Sequence, residues 1–334
     1  MTYSAILLMI FLGSLIASLL LTRLLIPALK YCDIMDVPNI RSSHKIAVPR
    51  GGGLGLVIVL ALFFPSFEYL TLGRVEFSLS LGSLLLPIAL ISFMDDIAHI
   101  AITVRFIFYI LSSLLAVMWV IHPMPILHYE MPLYLDLILG TLALAIFLNI
   151  YNFLDGIDGL AMSETIHLTL TLLILCAINY YAIPKVDFVI ALCVIILAWS
   201  IGFSFFNWHP AKIFLGDVGS VTLGFILGIC LLIVASAGTK LFVSCVISAL
   251  YYIADGGLTI LIRLTKGEKI WLPHRQHFFQ KSVQKGRSHS KVTKRIIRCN
   301  VLLMLFAVNA LYYPIISVIG SCITVGVVLV RSTI

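Results

Sequence analysis

Fifteen acidic residues are few for a chain of 334, and most stand at the ends of apolar runs, where a carboxylate is expensive and by default functional. Asp95 and Asp96 end the segment Phe93-Met94-Asp95-Asp96. Neighbours on a helix point about 100° apart. The two carboxylates can therefore address two partners or share a cation, and without compensation they repel. His99 and Arg105 follow with cationic capacity suited to a phosphate, though equally to charge topology. A second group, Asn149, Asn152, Asp155 and Asp158, recurs at every third residue. That spacing keeps neighbours on one helical face, while Gly156 and Gly159 loosen or end the helix. Amides and carboxylates converging beside a flexible turn suit a nucleotide or a metal.

Three further groups follow, of which the glycine run is weak taken alone. Asn207 and Asp217 bracket a short loop, and Gly216 and Gly219 allow backbone close to a ligand where the next helix begins. Asp217 as a plain helix cap is the competing reading, and Lys212 in that loop is explained as well by topology. His274 and His277, three apart around Arg275, can present two imidazoles to one ligand on a helical turn. They do not form H-E-x-x-H, and zinc would need a third ligand that the motif lacks, so phosphate contact is the better functional reading. Pro49 to Gly55, after Arg41, Ser42, Ser43, His44 and Lys45, holds three glycines whose N–H groups can approach an anion. Glycine is also frequent where membrane helices pack.

The elements that must position these groups are membrane helices. The chain is 61% hydrophobic and 11% charged, with a mean hydropathy of +1.11, against about a quarter charged in soluble domains. Apolar runs long enough to cross about 30 Å of hydrocarbon lie near 5–25, 52–72, 78–94, 102–121, 132–150, 165–183, 187–206, 218–236, 240–263, 295–311 and 314–331. The expected fold is all-α: one polytopic transmembrane bundle over residues 1–334, with about eleven spans and ten as the lower count. The first run has no basic residue before Arg23 and no cleavage site, so it reads as a retained span rather than a signal peptide. The 7 cysteines form no C-x-x-C pair and read as small buried hydrophobes.

Basic residues accumulate in cytoplasmic loops. If alternate connections, beginning with the first, are cytoplasmic, they collect all but three (Arg74, Lys185, Lys240) of the 22 Lys and Arg residues. The amino terminus is then outside and the carboxyl terminus inside. The formal net charge of +7 becomes a topology signal and gives no reason to invoke nucleic acid. The same sorting puts Asp33, Asp36, Asp95, Asp96, Asp155, Asp158, Glu164, Asp217 and Glu268 on the cytoplasmic side, with Asp255 about two turns from it. The active-site loops fall near 26–51, 95–105, 150–164, 207–217 and 264–294.

Through PRGGG, MDD, NFLDGIDGLA, FLGDVGS and PHRQH, five motifs in order on one face, the chain resembles the polyprenyl-phosphate N-acetylhexosamine-1-phosphate transferases. That family joins the enzymes using UDP-N-acetylglucosamine with the peptidoglycan translocase that transfers phospho-N-acetylmuramoyl-pentapeptide. The resemblance implies ten or eleven spans and a cleft open to the cytoplasm of a bacterial inner membrane. It implies Asp95 and Asp96 at the polyprenyl phosphate, Asp217 on Mg²⁺, and Asn152 and Asp155 in the nucleotide and metal site. Asn207 is implied near the nucleoside, and His274 and His277 near the phosphates. Arg50 and Arg105 join them as substrate-binding cations, and Asp95, Asp96, Asp155 and Asp217 as the catalytic acids.

The partners so implied are a UDP-N-acetylhexosamine, a polyprenyl phosphate carrier and membrane lipid, with Mg²⁺ (or Mn²⁺) on Asp217 and Asp155; a homodimer is compatible with this reading. The translocase has three consecutive histidines where this chain has His-Arg-Gln-His, so the form looks more like the subgroup initiating O-antigen or related surface glycans. Two competitors were weighed. A transporter or lipid flippase needs charges at mid-membrane depth, where Asp255 is the sole candidate. A CDP-alcohol phosphatidyltransferase needs an arginine and later aspartates that DGIDGLAMSE lacks.

Overall fold

The computed structural model describes residues 2–38, 46–98, 100–121, 132–269, 272 and 274–334. Arg41, Ser42, Ser43, His44, Lys45, His99 and Pro273, singled out above, lie outside the described residues. The chain runs through α1 (Tyr3–Tyr31), the short strands β1 (Met35–Asp36) and β2 (Val48–Pro49), α2 (Leu54–Leu72), α3 (Glu76–Ala98) and α4 (Ile102–Ala116). Then come α5 (Leu133–Leu154), α6 (Leu160–Ile178), α7 (Val186–Asn207), α8 (Asp217–Ala235), α9 (Thr239–Ser248) and α10 (Leu250–Thr265). The short α11 (Phe278–Gln284), α12 (His289–Asn309) and α13 (Pro314–Thr333) complete the chain.

Nine described helices, α1 to α8 and α13, are long and apolar enough to cross a membrane. The pair α9 and α10 makes a tenth, bent by 69° at its break. The eleventh expected stretch also lies on a helix, α12, but its first half carries Lys291, Lys294, Arg295 and Arg298 and is too basic to count by composition. Large apolar side chains such as Leu8, Leu20 and Leu24 of α1 remain on the outside of the bundle. A face of that kind suits hydrocarbon rather than water. The protein is therefore an all-α, multi-pass membrane protein. The antiparallel pairing of β1 with β2, Met35 opposite Pro49, is an element the apolar pattern did not predict.

Helix α8 is the central element, buried along almost its whole length. Small residues let its neighbours touch its backbone, the usual route to tight packing where no hydrophobic effect drives helices together. A Cβ at Gly224 would lie 2.8 Å from Leu148 Cα of α5, and one at Gly228 would lie 2.5 Å from Leu144 Cδ1. At its amino end, a Cβ on Gly53 would lie 2.1 Å from Gly219 Cα, so the glycine run docks directly onto α8. Glu164, expected among the acids facing the cytoplasm, is instead fully buried and accepts a 2.7 Å bond from Asn300 of α12. It joins α6 to α12, because a carboxyl inside a helix bundle needs a polar partner on a facing helix.

Gly224→Val is expected to force α5 from α8 at the typical overpacking cost of about 1–3 kcal/mol. The outward-facing Gly82 has nothing within 4 Å of where its Cβ would be. In thermal unfolding of the detergent-solubilised protein, Gly224→Val should lower the midpoint by several degrees and Gly82→Val should not.

Candidate active site

The buried helix α8 begins at Asp217, and its first N–H groups have no partner within the helix. Asp96, from the last turns of α3, supplies one: Oδ1 accepts from Asp217 N at 2.8 Å and Oδ2 from Val218 N at 3.0 Å. A carboxylate is favoured there by the positive end of the helix dipole. Gly216 makes the approach feasible, since its φ is 73° and a Cβ would lie 2.6 Å from Asp96 Oδ2.

Two arginines then knit three carboxylates together. Arg50 places Nε 2.7 Å from Asp96 Oδ1 and Nη2 2.5 Å from Asp217 Oδ1. Arg105 donates through Nη1 to Asp95 Oδ2 and reaches Asp217 Oδ2 at 3.2 Å. The other Asp95 oxygen accepts from Ile100 N at 2.7 Å, pinning the α3–α4 turn. Burial works against charge on Arg50, but Asp217 and then Asp96 outweigh it and hold the guanidinium firmly protonated. Each oxygen of Asp217 thus faces a different arginine.

Asp155, the residue capping α5, sits beside this network. Burial and then the charge of Asp217 push its carboxyl up to about 7. Burial is the larger cause and the neighbouring carboxylate the second, and a divalent cation relieves both by stabilising the charged form. Asn152 accepts a 2.6 Å bond from Ser220 Oγ, tying α5 to the first turn of α8. Asp155 and Asp217 offer the hard oxygen ligands that Mg²⁺ prefers, and such sites commonly use one or two carboxylates and complete themselves with substrate phosphate and water. The donor set fits the ion.

Other expectations are revised by what the side chains touch. The glycine run does not hold both N–H groups ready for an anion: Gly52 N donates to Phe214 O at 2.9 Å and Gly53 N to Leu215 O at 2.8 Å. That segment is a brace that carries Arg50 to Asp217. Asn207 is buried, donating from Nδ2 to Ile213 O at 3.0 Å and accepting from Gly159 N at 3.2 Å. Its amide holds two loops together.

His274 and His277 do come together, ring centroids 4.9 Å apart. His277 is buried at the start of α11, its Nδ1 3.1 Å from Asp255 Oδ1. Burial, then His277 and Arg263, lower the His274 imidazole to about 4, so it is neutral at pH 7 and acts there as a hydrogen-bonding group rather than a cation.

Asp255 was weighed above only as a transport-pathway charge. It is fully buried and accepts from Phe278 N at 3.0 Å, Phe279 N at 3.2 Å and Tyr251 OH at 3.2 Å, besides facing His277. It is the anchor of the histidine loop. The clue in the sequence is a lone acid at a helix position; apart from Tyr251, its partners named here lie more than twenty residues away.

A cavity of about 800 Å³ opens next to the turn that holds Asp158. Lys30, Lys212, Arg287, His209 and His289 line it, with Asp158 as the one acid, and Ile46 to Pro49 with Phe214 form an apolar part of its wall. No motif in the sequence singles out His209 and His289, and the basic residues read there first as topology, with contact to anionic lipid or nucleotide phosphates second.

The model of the family described as Glycosyl transferase family 4 matches residues 77–236, which contain Asp95, Asp96, Asn152, Asp155, Asn207 and Asp217. Over that stretch, a little under half of the chain, the sequence is similar to that family. It is similar to a Bacillus subtilis protein named "Probable undecaprenyl-phosphate N-acetylglucosaminyl 1-phosphate transferase", 28% identical over 82% of this chain and 77% of the relative. It is also similar to the phospho-N-acetylmuramoyl-pentapeptide-transferases of Borrelia hermsii, 31% identical over 60% of this chain and 65% of the relative, and of Chlamydia abortus, 26% identical over 84% and 85%. Five of the six named residues come together around the start of α8, and Asn207 bonds to the two loops beside it.

Asp255→Ala removes the acceptor for two backbone donors, each worth about 1–3 kcal/mol when left buried and unsatisfied. Limited proteolysis in the 266–276 loop should accelerate in that variant, with an unchanged far-ultraviolet helix signal. Because the folded His274 has a pKa below its unfolded value of about 6.5, the unfolded chain binds more protons between pH 4 and 6.5. Stability should rise with pH across that window, and the rise should be shallower in His274→Gln when midpoints are measured at several pH values.

Proposed function

We propose that this protein transfers an N-acetylhexosamine 1-phosphate from a UDP-sugar to a polyprenyl phosphate, releasing UMP. Similarity to the family model and to the curated relatives supports the coarse activity, a polyprenyl-phosphate hexosamine-1-phosphate transferase. The observation that carries the reading is the arginine-bridged acid network at the start of α8, where several cation-binding and anion-binding groups meet at the ends of membrane helices. A transport pathway would put such groups at mid-membrane depth. Here the one such candidate, Asp255, is engaged as a loop anchor.

In the reaction an oxygen of the lipid phosphate attacks the β-phosphorus of the UDP-sugar. The new P–O bond forms as the bond from that phosphorus to the bridging oxygen breaks, and UMP leaves with the electron pair. Two anions must meet, so cationic groups do most of the electrostatic work. When bound by Asp217 and Asp155, Mg²⁺ supplies charge neutralisation on the diphosphate. Arg50 and Arg105, each shared between carboxylates, are long and fixed in charge, so either can exchange a carboxylate oxygen for a phosphate oxygen. Asp95 and Asp96 hold the arginines in register and orient the acceptor phosphate. His274, neutral, and His277, braced by Asp255, add hydrogen bonds near the phosphates.

The cavity beside Asp158 has the volume of a small-molecule site, and its basic lining suits the donor's diphosphate. The site faces the cytoplasm of a bacterial inner membrane, with the amino terminus outside, as the placement of Lys and Arg supports. His-Arg-Gln-His in place of three consecutive histidines favours a surface-glycan-initiating enzyme, of the O-antigen type, over the pentapeptide transferase.

Purified protein incubated with undecaprenyl phosphate, Mg²⁺ and a panel of UDP-sugars should release UMP with at least one UDP-N-acetylhexosamine. Release of UDP means an ordinary glycosyltransferase, and no nucleotide with any donor favours transport. Asp96→Ala and Asp217→Ala should each lower turnover by about a hundredfold or more, the usual scale for lost charge stabilisation. Near-wild-type activity in Asp217→Ala would remove the assignment of the metal.

A further inference from the structure

Among the described residues, one group of three metal-ligating side chains stands at the spacing of a coordination shell. Asp158, His209 and His289 offer a carboxylate oxygen and two imidazole nitrogens, all within 4.8 Å of one another. We propose that these three side chains bind one divalent transition-metal ion of the zinc class, at a site separate from that of Mg²⁺.

The three ligands come from distant parts of the chain. Asp158 lies in the turn between α5 and α6, His209 in the turn between α7 and α8, and His289 is the first residue of α12. The Asp158 carboxylate stands between the imidazoles, Oδ2 2.6 Å from His209 Nδ1 and Oδ1 3.2 Å from His289 Nδ1. The two rings lie 5.2 Å apart between centroids. Both oxygens of one carboxylate are thus already aimed at nitrogens that an ion would draw to itself. Without an ion the same three groups hold one another by hydrogen bonds, so the site is assembled before it is filled.

The surrounding groups fix that geometry. Ala211 N donates to Asp158 Oδ2 at 3.2 Å, and Thr293 Oγ1 donates to the Asp158 carbonyl at 3.1 Å. Supporting bonds of this kind orient ligands and raise affinity. Burial acts against charge on Asp158, yet hydrogen bonding with His289 and His209 outweighs it and keeps the group an anion.

Two imidazoles with one carboxylate select zinc, cobalt, nickel or copper over Mg²⁺, which prefers oxygen alone. Three protein ligands leave a position open. Here that position faces the cavity lined by Lys30, Lys212 and Arg287, so water or an anion would fill it. A bound ion would staple three loops into one wall of the cavity.

The test uses the untagged full-length protein in detergent, stripped with EDTA and titrated with Co²⁺ in excess Mg²⁺. One equivalent should bind, with the visible absorption of a four- or five-coordinate nitrogen-containing site, and Zn²⁺ should displace it. His209→Ala and His289→Ala should each weaken Co²⁺ binding by about tenfold or more, and His274→Ala should not change it. Should those variants fail to fold, the wild type decides: Zn²⁺ should raise its thermal midpoint and an equal concentration of Mg²⁺ should not. Absence of both absorption and thermal shift, or Co²⁺ binding that survives loss of both histidines, overturns the proposal and leaves the three groups as a hydrogen-bonded brace. The readout is metal binding, so it is independent of whether UMP is released.

Discussion

Asp217 has to be held against two arginines at the first turn of a helix that has almost no exposed surface. Removing one partner from a buried ion pair leaves an uncompensated charge, a loss of about 3–5 kcal/mol. The network therefore constrains every segment that supplies a member. The glycine run brings Arg50, the end of α3 brings Asp95 and Asp96, and the start of α4 brings Arg105. Gly53 and Gly216 are small because their neighbours lie where a Cβ would be. What reads as a catalytic centre is also the keystone of this side of the bundle.

The same device recurs at two other loops. Asp255 gathers the start of α11, and Asp158 gathers the turn before α8 and the start of α12. In each case a carboxylate collects backbone N–H groups and imidazoles that the membrane cannot solvate. Loops at the end of a membrane bundle lack the apolar cores that hold soluble loops, so buried polar networks take over that work. One consequence is that positioning and chemistry are shared among few residues, and a change at a loop anchor propagates to the site.

Charge also separates two working surfaces. The network around Asp217 gathers more carboxylates than guanidinium groups, and burial together with the charge of Asp217 raises the carboxyl of Asp155, so this surface calls for a cation. The neighbouring cavity is basic and calls for an anion. Two surfaces of opposite preference side by side fit a reaction in which a metal, a nucleotide diphosphate and a lipid phosphate must meet. Arg50 and Arg105 sit on the acidic side already charged, which lets them neutralise carboxylates or phosphates without taking up a proton.

Composition alone determined the solvent: apolar runs of spanning length have no other stable home, so the all-α bundle and nearly every helix were legible, with α12 blurred by its basic half. The acids at the ends of those runs were legible for the same reason, because a carboxylate beside hydrocarbon is costly unless used. Partners were not. That Asp96 caps α8, that Arg50 and Arg105 share Asp217, that Asn207 bonds to Gly159 and the glycine run to Phe214 and Leu215, and that Asp158 meets His209 and His289 all depend on contacts between residues tens to more than a hundred positions apart. Local periodicity records which face of a helix is buried, but carries no information about which distant side chain completes a charge. Only the packing of α3, α5, α8 and α12 against one another decided that.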